Sequence, residues 1–221
     1  MTEKAASAAF FVAGEMLIAS GLRGSEGHRN LELQSTAMSL SLRDATLADL
    51  PVITAIYRES VLNGVATYEI NPPSETEMRA RFETIIANGY PYMVAVDDGG
   101  TIVGYAYASG FRTRTAYRFL VEDSIYLAPE ARGKGAGKAL LAELIRRCTE
   151  LGFRQMVAVI GGAHPASIAV HRSLGFEYQG TMNATGFKHG RWLDTAIMQL
   201  ALGEGQTSDP PEDVYPDTLY Q

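Results

Sequence analysis

Residues 119–141, FLVEDSIYLAPEARGKGAGKALL, join a β-rich run to an amphipathic one through a glycine-rich turn. Gly133, Gly135 and Gly137 alternate with Lys134, Ala136 and Lys138. Positions without a side chain let a backbone close around an anion with several amides pointing inward. The first turn of the following helix adds unpaired N–H groups and the positive end of its dipole. Arg132, Lys134 and Lys138 add charge, and the combination suits a pyrophosphate. A glycine-rich connector with a basic helix start is the plainer reading of the same letters.

Spacing separates the kinds of phosphate site. A Walker A loop needs four residues between its glycines and a Ser or Thr after the lysine. Gly133 and Gly137 have three between them, and Ala139 follows Lys138. A Rossmann turn needs GxGxxG directly after a strand and an acid at the end of the next one. Here five residues separate Leu127 from Gly133, the spacing is GxGxG, and the run MVAVIG (156–161) ends without an acid.

Outward from the turn the chain alternates between two periods. SLSLRDA, from Ser39, reads as a strand. Leu50, Ile53, Ile56 and Tyr57 recur at helical spacing after Asp49. A second helix follows Pro73, with Ser74 and Glu77 at capping-box spacing. YMVAVD and TIVGYAYAS, divided by Asp98-Gly99-Gly100, predict a hairpin. A long helix runs from about Gly135 to Leu151, with Leu140, Leu141, Leu144, Ile145, Cys148 and Leu151 as one apolar stripe and Gly152 as its stop. MVAVIG is continuous enough for a strand covered on both faces. A short helix ends near Leu174 before Gly175. Strands near 178–185 and 192–202 close the pattern. The order predicts an α/β (α+β) domain with a mixed sheet and helices on both faces. It spans residues 38–203. Residues 1–37 read as an extension, partly helical or disordered, and 204–221 as an acidic, proline-containing, solvated tail.

Composition narrows the function. A formal net charge of −6 over 221 residues argues against nucleic-acid binding, which needs cations for phosphates. The single cysteine, Cys148, forms no intramolecular disulfide and no metal cluster, so no metal is expected, and packing in its stripe is the expectation for it. No apolar run reaches a membrane-spanning length. Glu15 interrupts the one N-terminal stretch resembling a signal peptide. A cytoplasmic enzyme without membrane contact is the expectation.

Glu122 and Asp123 lie side by side among apolar strand residues. Neighbouring strand side chains face opposite ways. In a sheet covered on each face, one carboxylate faces a pocket or stands unpaired at a cost.

Arg132-Gly133-Lys134-Gly135-Ala136-Gly137 resembles the acetyl-CoA signature of the GNAT superfamily, Arg/Gln-x-x-Gly-x-Gly/Ala, which opens that family's third long helix. His164, Ser167, His171, Gly175 and Phe176 fall at the spacing of its downstream Asn-x-x-Ala-x-x-x-Tyr-x-x-x-Gly-Phe; the last two match. Within the superfamily, FLVEDSIYLAPEARGKGAGKALL, MVAVIGGAHPASIAVHRSLGF and GFKHGRWLD are similar to the phosphinothricin and methionine sulfoximine acetyltransferases. YASGFRTRTAYRF resembles their substrate-side segment. The resemblance covers about residues 39–202 and implies a GNAT fold with a central sheet of about six to seven strands.

It also implies roles. Acetyl-CoA is the cosubstrate and the acceptor is the α-amine of a small anionic amino-acid analogue. Glu122 takes the place of the general base, which removes a proton from the ammonium. His171 takes the place of the family's usual tyrosine, as is normal in the phosphinothricin-like group, and could itself protonate the departing thiolate; a helix histidine bonded to a neighbour is the other reading. The cofactor lies along Ile125, Tyr126, Leu127, Arg132, Gly133, Lys134, Gly135, Ala136, Gly137, Lys138, His164 and Ser173, with a strand-end N–H near Leu127 for the oxyanion. His164 departs from the family's asparagine. Tyr68, Arg112, Arg114, Glu122, Asp123 and Ser124 fall at the substrate, and Glu69 beside Tyr68; arginine suits a carboxylate or phosphinate by bidentate pairing. Lys188 and His189, in GFKHG, imply a loop near a second subunit, hence a homodimer. A protein N-terminus or polyamine acceptor, or a non-catalytic acyl-CoA sensor, are the alternatives.

Overall fold

The alternating runs pair into one sheet in a computed structural model that describes residues 39–220. The expected extension at 1–37 lies outside the described residues. The strands are β1 (Leu40–Asp44), β2 (Tyr92–Asp97), β3 (Ile102–Gly110), β4 (Leu120–Leu127), β5 (Gln155–Gly161), β6 (Glu177–Lys188) and β7 (Arg191–Ala201). The helices are α1 (Leu50–Asn63), α2 (Glu75–Ala87), α3 (Ala136–Glu150) and α4 (Pro165–Ser173). The sheet order is β1-β2-β3-β4-β5-β7-β6. Every neighbouring pair is antiparallel except β4 and β5.

Local chemistry explains the helix starts. The Ser74 hydroxyl accepts the Glu77 N–H at 3.2 Å, and the Glu77 carboxylate accepts the Ser74 N–H at 2.7 Å. Two orphan donors of α2 are thereby satisfied. Before α1, the Asp49 carboxylate accepts from Arg43 at 2.7 and 2.8 Å and from the Thr46 N–H at 2.7 Å. Arg43, more than any other group, draws that carboxyl down to about 2.

Two apolar layers sandwich the sheet. Leu50, Ile53, Tyr57 and Val61 of α1, with Met78 and Phe82 of α2, pack on Tyr92, Val94 and Tyr105. On the other face Leu140, Leu141, Leu144 and Cys148 of α3 pack on Met93, Ala106, Val121 and Met156. Helices on both faces are therefore observed, and the α3 stripe points inward as its period requires. Each fully buried leucine contributes roughly 1.5–3 kcal/mol. Among the described residues no helix is long and apolar enough to cross a membrane.

Residues 206–214 are exposed, apart from the half-buried Pro210, but the last residues pack against the domain. Pro216, Asp217 and Leu219 are buried. Tyr215 meets Phe153 edge-on at 5.6 Å, and Asp217 pairs with Arg118 at 2.7 Å. Aromatic surface and the pairing of Asp217 with Arg118 outweigh the solvation of that one acid.

The capping box gives a direct check on how α2 starts. Ser74→Ala is expected to lower the unfolding free energy by about 1 kcal/mol, read from urea denaturation, while Ser74→Asp restores most of it.

Candidate active site

The parallel pair sets the site. β4 and β5 share a ladder only over Leu120–Glu122, opposite Gln155–Val157. β5 then stays with β7 as far as Gly161, while β4 stays with β3 as far as Leu127. From Asp123 onward β4 faces no paired strand on its β5 side. The Ala128 N–H donates to the Val103 carbonyl at 2.9 Å. Backbone groups alternate along an antiparallel strand, so Leu127 and Ile125 turn their N–H and C=O groups away from β3, toward the gap. That is an edge with no strand partner, open to an extended ligand of the kind the resemblance implies for the cofactor.

At the end of β4 the chain makes a short 3-10 turn at Pro129–Ala131 and enters α3. Gly133 (φ 74°) and Gly135 (φ 91°) hold left-handed conformations that other residues rarely adopt. Space is not the constraint, since a Cβ on either would meet nothing within 4 Å. Gly135 caps α3, so the first N–H groups of that helix are open to an anion. Lys134 and Lys138 are exposed beside them. Ala136 is fully buried, which leaves its backbone as its contribution. Gly137 lies against Leu127, where a Cβ would come within 3.3 Å of the leucine side chain. These residues fit the pyrophosphate of acetyl-CoA. Arg132 carries a partner the sequence did not reveal: it pairs with Glu59 of α1 and donates to the Leu127 carbonyl at 3.3 Å.

Glu122 stands where the strands part. It shares a face of β4 with Ser124 and Tyr126, opposite Ser109, Tyr107 and Tyr105 of β3. Burial, then the charge of Asp123, push its carboxyl up to about 7, against the pull of Arg112. Arg112 is exposed on the segment after β3, over the Phe111 ring at 4.3 Å. Arg114 is exposed two residues on. Tyr107, beside Ser124, has its phenol pushed up by burial and by Glu122 and drawn down by Ser124.

Asp123 departs from the substrate position expected of it. It turns to the opposite face, is buried, and meets His171 Nε2 at 3.0 Å. His171 Nδ1 donates to the Ser167 carbonyl at 2.7 Å. A carbonyl and a carboxylate are both acceptors, so this arrangement favours the doubly protonated imidazole. Burial draws its pKa down, but the Asp123 hydrogen bond and charge and the Ser167 carbonyl together leave it raised. His171 is thus a buried helix histidine bonded to Asp123 and Ser167. Delivering a proton to a thiolate would require one of these bonds to open. Strand alternation could have hinted at this pair; the partner on α4 could not be read from spacing.

The other expected positions are spread out. Ser173 is exposed and donates back to the Val170 carbonyl at 2.8 Å. His164 is exposed at the start of α4. The Tyr68 hydroxyl donates to the Asp194 carbonyl at 2.9 Å, lies 2.7 Å from the Thr195 hydroxyl and accepts the Gly162 N–H at 3.2 Å. Its ring lies against Gly186, where a Cβ would come within 2.8 Å. Tyr68 therefore fastens the loop after α1 to the far strands. Glu69 accepts from Tyr57 at 2.9 Å and Arg81 at 2.6 Å. Lys188 is buried and donates to the Thr67 carbonyl at 2.8 Å; desolvation lowers its pKa. Among the described residues no group of His, Cys, Asp and Glu is arranged to hold a metal.

The buried pair has a pH signature. The folded pKa of His171 is raised, so its stabilisation is present below the unfolded value of roughly 6.5. It is lost as pH rises through the folded value. Asp123→Asn is expected to cost about 3–5 kcal/mol, with the deficit relative to wild type largest near pH 6 and narrowing toward pH 9 in urea titrations.

The profile of the acetyltransferase (GNAT) family matches residues 55–176. The chain is 48% identical over 163 residues to the phosphinothricin N-acetyltransferase of Alcaligenes faecalis, covering 73% of this chain and 82% of that one. It is 45% identical over 165 residues to the L-methionine sulfoximine/L-methionine sulfone acetyltransferase of Pseudomonas aeruginosa, covering 75% and 96%. A crystal structure of a GNAT superfamily phosphinothricin acetyltransferase from Sinorhizobium meliloti with acetyl-CoA is similar at a TM-score of 0.82 and 74% identity, covering 83% of this chain and all of that one. A splayed parallel pair, a left-handed glycine turn at a helix start and these relatives agree: the chain belongs to the GNAT acetyltransferase family.

Proposed function

We propose that the protein moves an acetyl group from acetyl-CoA to the α-amine of a small anionic amino-acid analogue such as phosphinothricin or methionine sulfoximine, with Glu122 as general base. The observation that carries this reading is a carboxylate raised to about 7 at the point where β4 leaves β5. An ammonium must lose a proton before its nitrogen can attack, and a base with a pKa near the working pH does this best. The relatives' own substrates and the two arginines after β3 support the acceptor class.

Acetyl-CoA, when bound, supplies an activated acyl group whose thiol departs readily, with a pKa of about 8.5. The turn from Arg132 to Lys138 holds the pyrophosphate, and the open edge at Ile125, Tyr126 and Leu127 takes the arm. Arg132 must share itself between Glu59 and a phosphate. Arg112 and Arg114 take the anionic end of the acceptor, and Glu122 receives the proton from its ammonium. The Leu127 N–H offers a donor to developing negative charge. A cationic polyamine would be repelled by Arg112 and Arg114, which favours the anionic acceptor.

We also propose a cytoplasmic homodimer. Cys148 is a buried free thiol pushed up to about 12, mainly by burial, as suits a reducing compartment without a redox role. Ile70 (66% exposed), Trp192 (65%), Phe187 (56%) and Leu62 (46%) form an apolar surface. It adjoins a groove of about 390 Å³ formed by Val61, Leu62, Ile70, Phe187, Lys188, His189 and Gly190. His189 Nε2 donates to the Gly64 carbonyl at 3.2 Å, steadying that rim.

Release of free CoA is expected with methionine sulfoximine and phosphinothricin and not with spermidine; the reverse order sinks this acceptor class. In wild type, kcat/KM rises with pH through about 7, because Glu122 must be ionised. Glu122→Gln loses that limb and about 10²–10⁴ of rate while still binding acetyl-CoA. Arg112→Ala moves the limb to higher pH, since the cation that lowers the Glu122 pKa is gone. In light scattering the wild type is expected at twice the chain mass and Trp192→Glu at one; a wild-type monomer removes the dimer.

A further inference from the structure

Residues 111–119 leave β3 at Gly110 and return to β4 at Leu120, and they carry Arg112 and Arg114. Much of what holds this segment is internal. Arg112 donates to the adjacent Phe111 carbonyl at 3.0 Å, and Phe111 meets Tyr117 edge-on at 6.1 Å. At its far end the Arg154 N–H reaches the Phe119 carbonyl at 2.9 Å. Its middle is tied by the end of the chain. The Thr115 hydroxyl donates to the Tyr220 carbonyl at 3.0 Å. Arg118 Nε donates to Asp217 Oδ1 at 2.7 Å, and Nη1 of the same guanidinium donates to the Thr115 carbonyl at 3.1 Å. Asp217 Oδ2 accepts the Asp213 N–H at 2.8 Å, closing its own turn. The Tyr220 hydroxyl meets that of Tyr90 at 2.6 Å and rests against Gly110, where a Cβ would overlap it.

The tail is itself firmly seated. Tyr215 packs on Phe153, Pro216 lies over Gly152, and Leu219 is buried in the α3-side core. A partly buried, packed stretch of chain therefore holds a segment whose middle, residues 112–117, is exposed.

We propose that residues 215–220 form a strap that sets acceptor affinity, with Asp217 and Tyr220 as positioning residues for the segment that carries Arg112 and Arg114. This rests on the reading of those arginines as substrate cations. Bidentate recognition of a carboxylate or phosphinate needs a guanidinium held in place, and small misplacements are costly. The strap's polar partners, Thr115, Arg118 and Tyr90, lie on neither the unpaired side of β4 nor the glycine turn, so the strap is expected to leave acetyl-CoA binding unchanged.

Two variants loosen the grip from opposite sides: Asp217→Ala within the strap, and Gly110→Ala, which changes no strap residue but pushes the Tyr220 hydroxyl off its seat. Both are compared with wild type for trypsin cleavage after Arg112 and Arg114, for KM of each substrate, and for folding by circular dichroism. Cleavage is expected to speed up about tenfold or more as the segment opens locally. KM for phosphinothricin or methionine sulfoximine is expected to rise about tenfold, with KM for acetyl-CoA within about twofold of wild type. Unchanged cleavage in both variants overturns the strap. Faster cleavage with unchanged acceptor KM overturns its role in affinity, and Arg112→Ala then separates the cases. If Arg112→Ala raises acceptor KM, the substrate reading stands and the strap alone fails; if it does not, the substrate reading fails with it. Equal rises in both KM values, or loss of the folded spectrum in both variants, mark a merely structural role and overturn the proposal.

Discussion

β4 and β5 run parallel for three paired residues and then separate. Most of the site depends on that divergence. Each strand keeps its other neighbour, β3 for one and β7 for the other, so the sheet does not fall apart when they part. The cost is a strip of unpaired backbone on β4, which in a folded protein calls for water or a ligand. The same divergence places Glu122 at the apex, where burial raises its carboxyl. It also leads the end of β4 into the glycine turn, so that an open edge and a left-handed glycine turn at a helix start follow one another along a single stretch of chain.

The two acids at the apex show how one pleat sorts like residues into unlike work. Asp123 turns toward α4 and is held by His171, a pair that spans the gap from β4 to the helix following β5. Glu122 turns the other way, onto a face lined by Tyr57, Tyr105, Tyr107 and Tyr126, with Tyr57 and Tyr126 edge-on at 4.9 Å. The negative charge of Asp123 still reaches Glu122 and favours its protonated form. The buried pair thus fastens the divergence and tunes the acid on its far side.

Close backbone approach organises the rest. The loop after α1 crosses the ends of β5, β6 and β7 because Gly161 and Gly186 leave room for Val65 and Tyr68. Lys188 gives up part of its hydration to bond the Thr67 carbonyl in that loop. At the other end of the molecule Gly110 admits the Tyr220 hydroxyl. In each place a missing side chain lets one segment lock another.

The element order, the capped start of α2, the hairpin at Asp98–Gly100 and the inward stripe of α3 were legible in the sequence, because period and capping chemistry are local. So was the glycine turn that opens α3, because its glycines and the helix start sit within six consecutive residues. The placement of Asp123, the pairing of Arg132 with Glu59, the commitment of Tyr68 to the far strands and the packing of the chain's end were decided only in three dimensions. Each depends on a partner many residues away, and in the tail on aromatic burial outweighing a solvated composition. A sequence specifies which groups are available and at what local spacing; which of two adjacent carboxylates meets a histidine and which joins the tyrosine-lined face is fixed only when the sheet and helices pack.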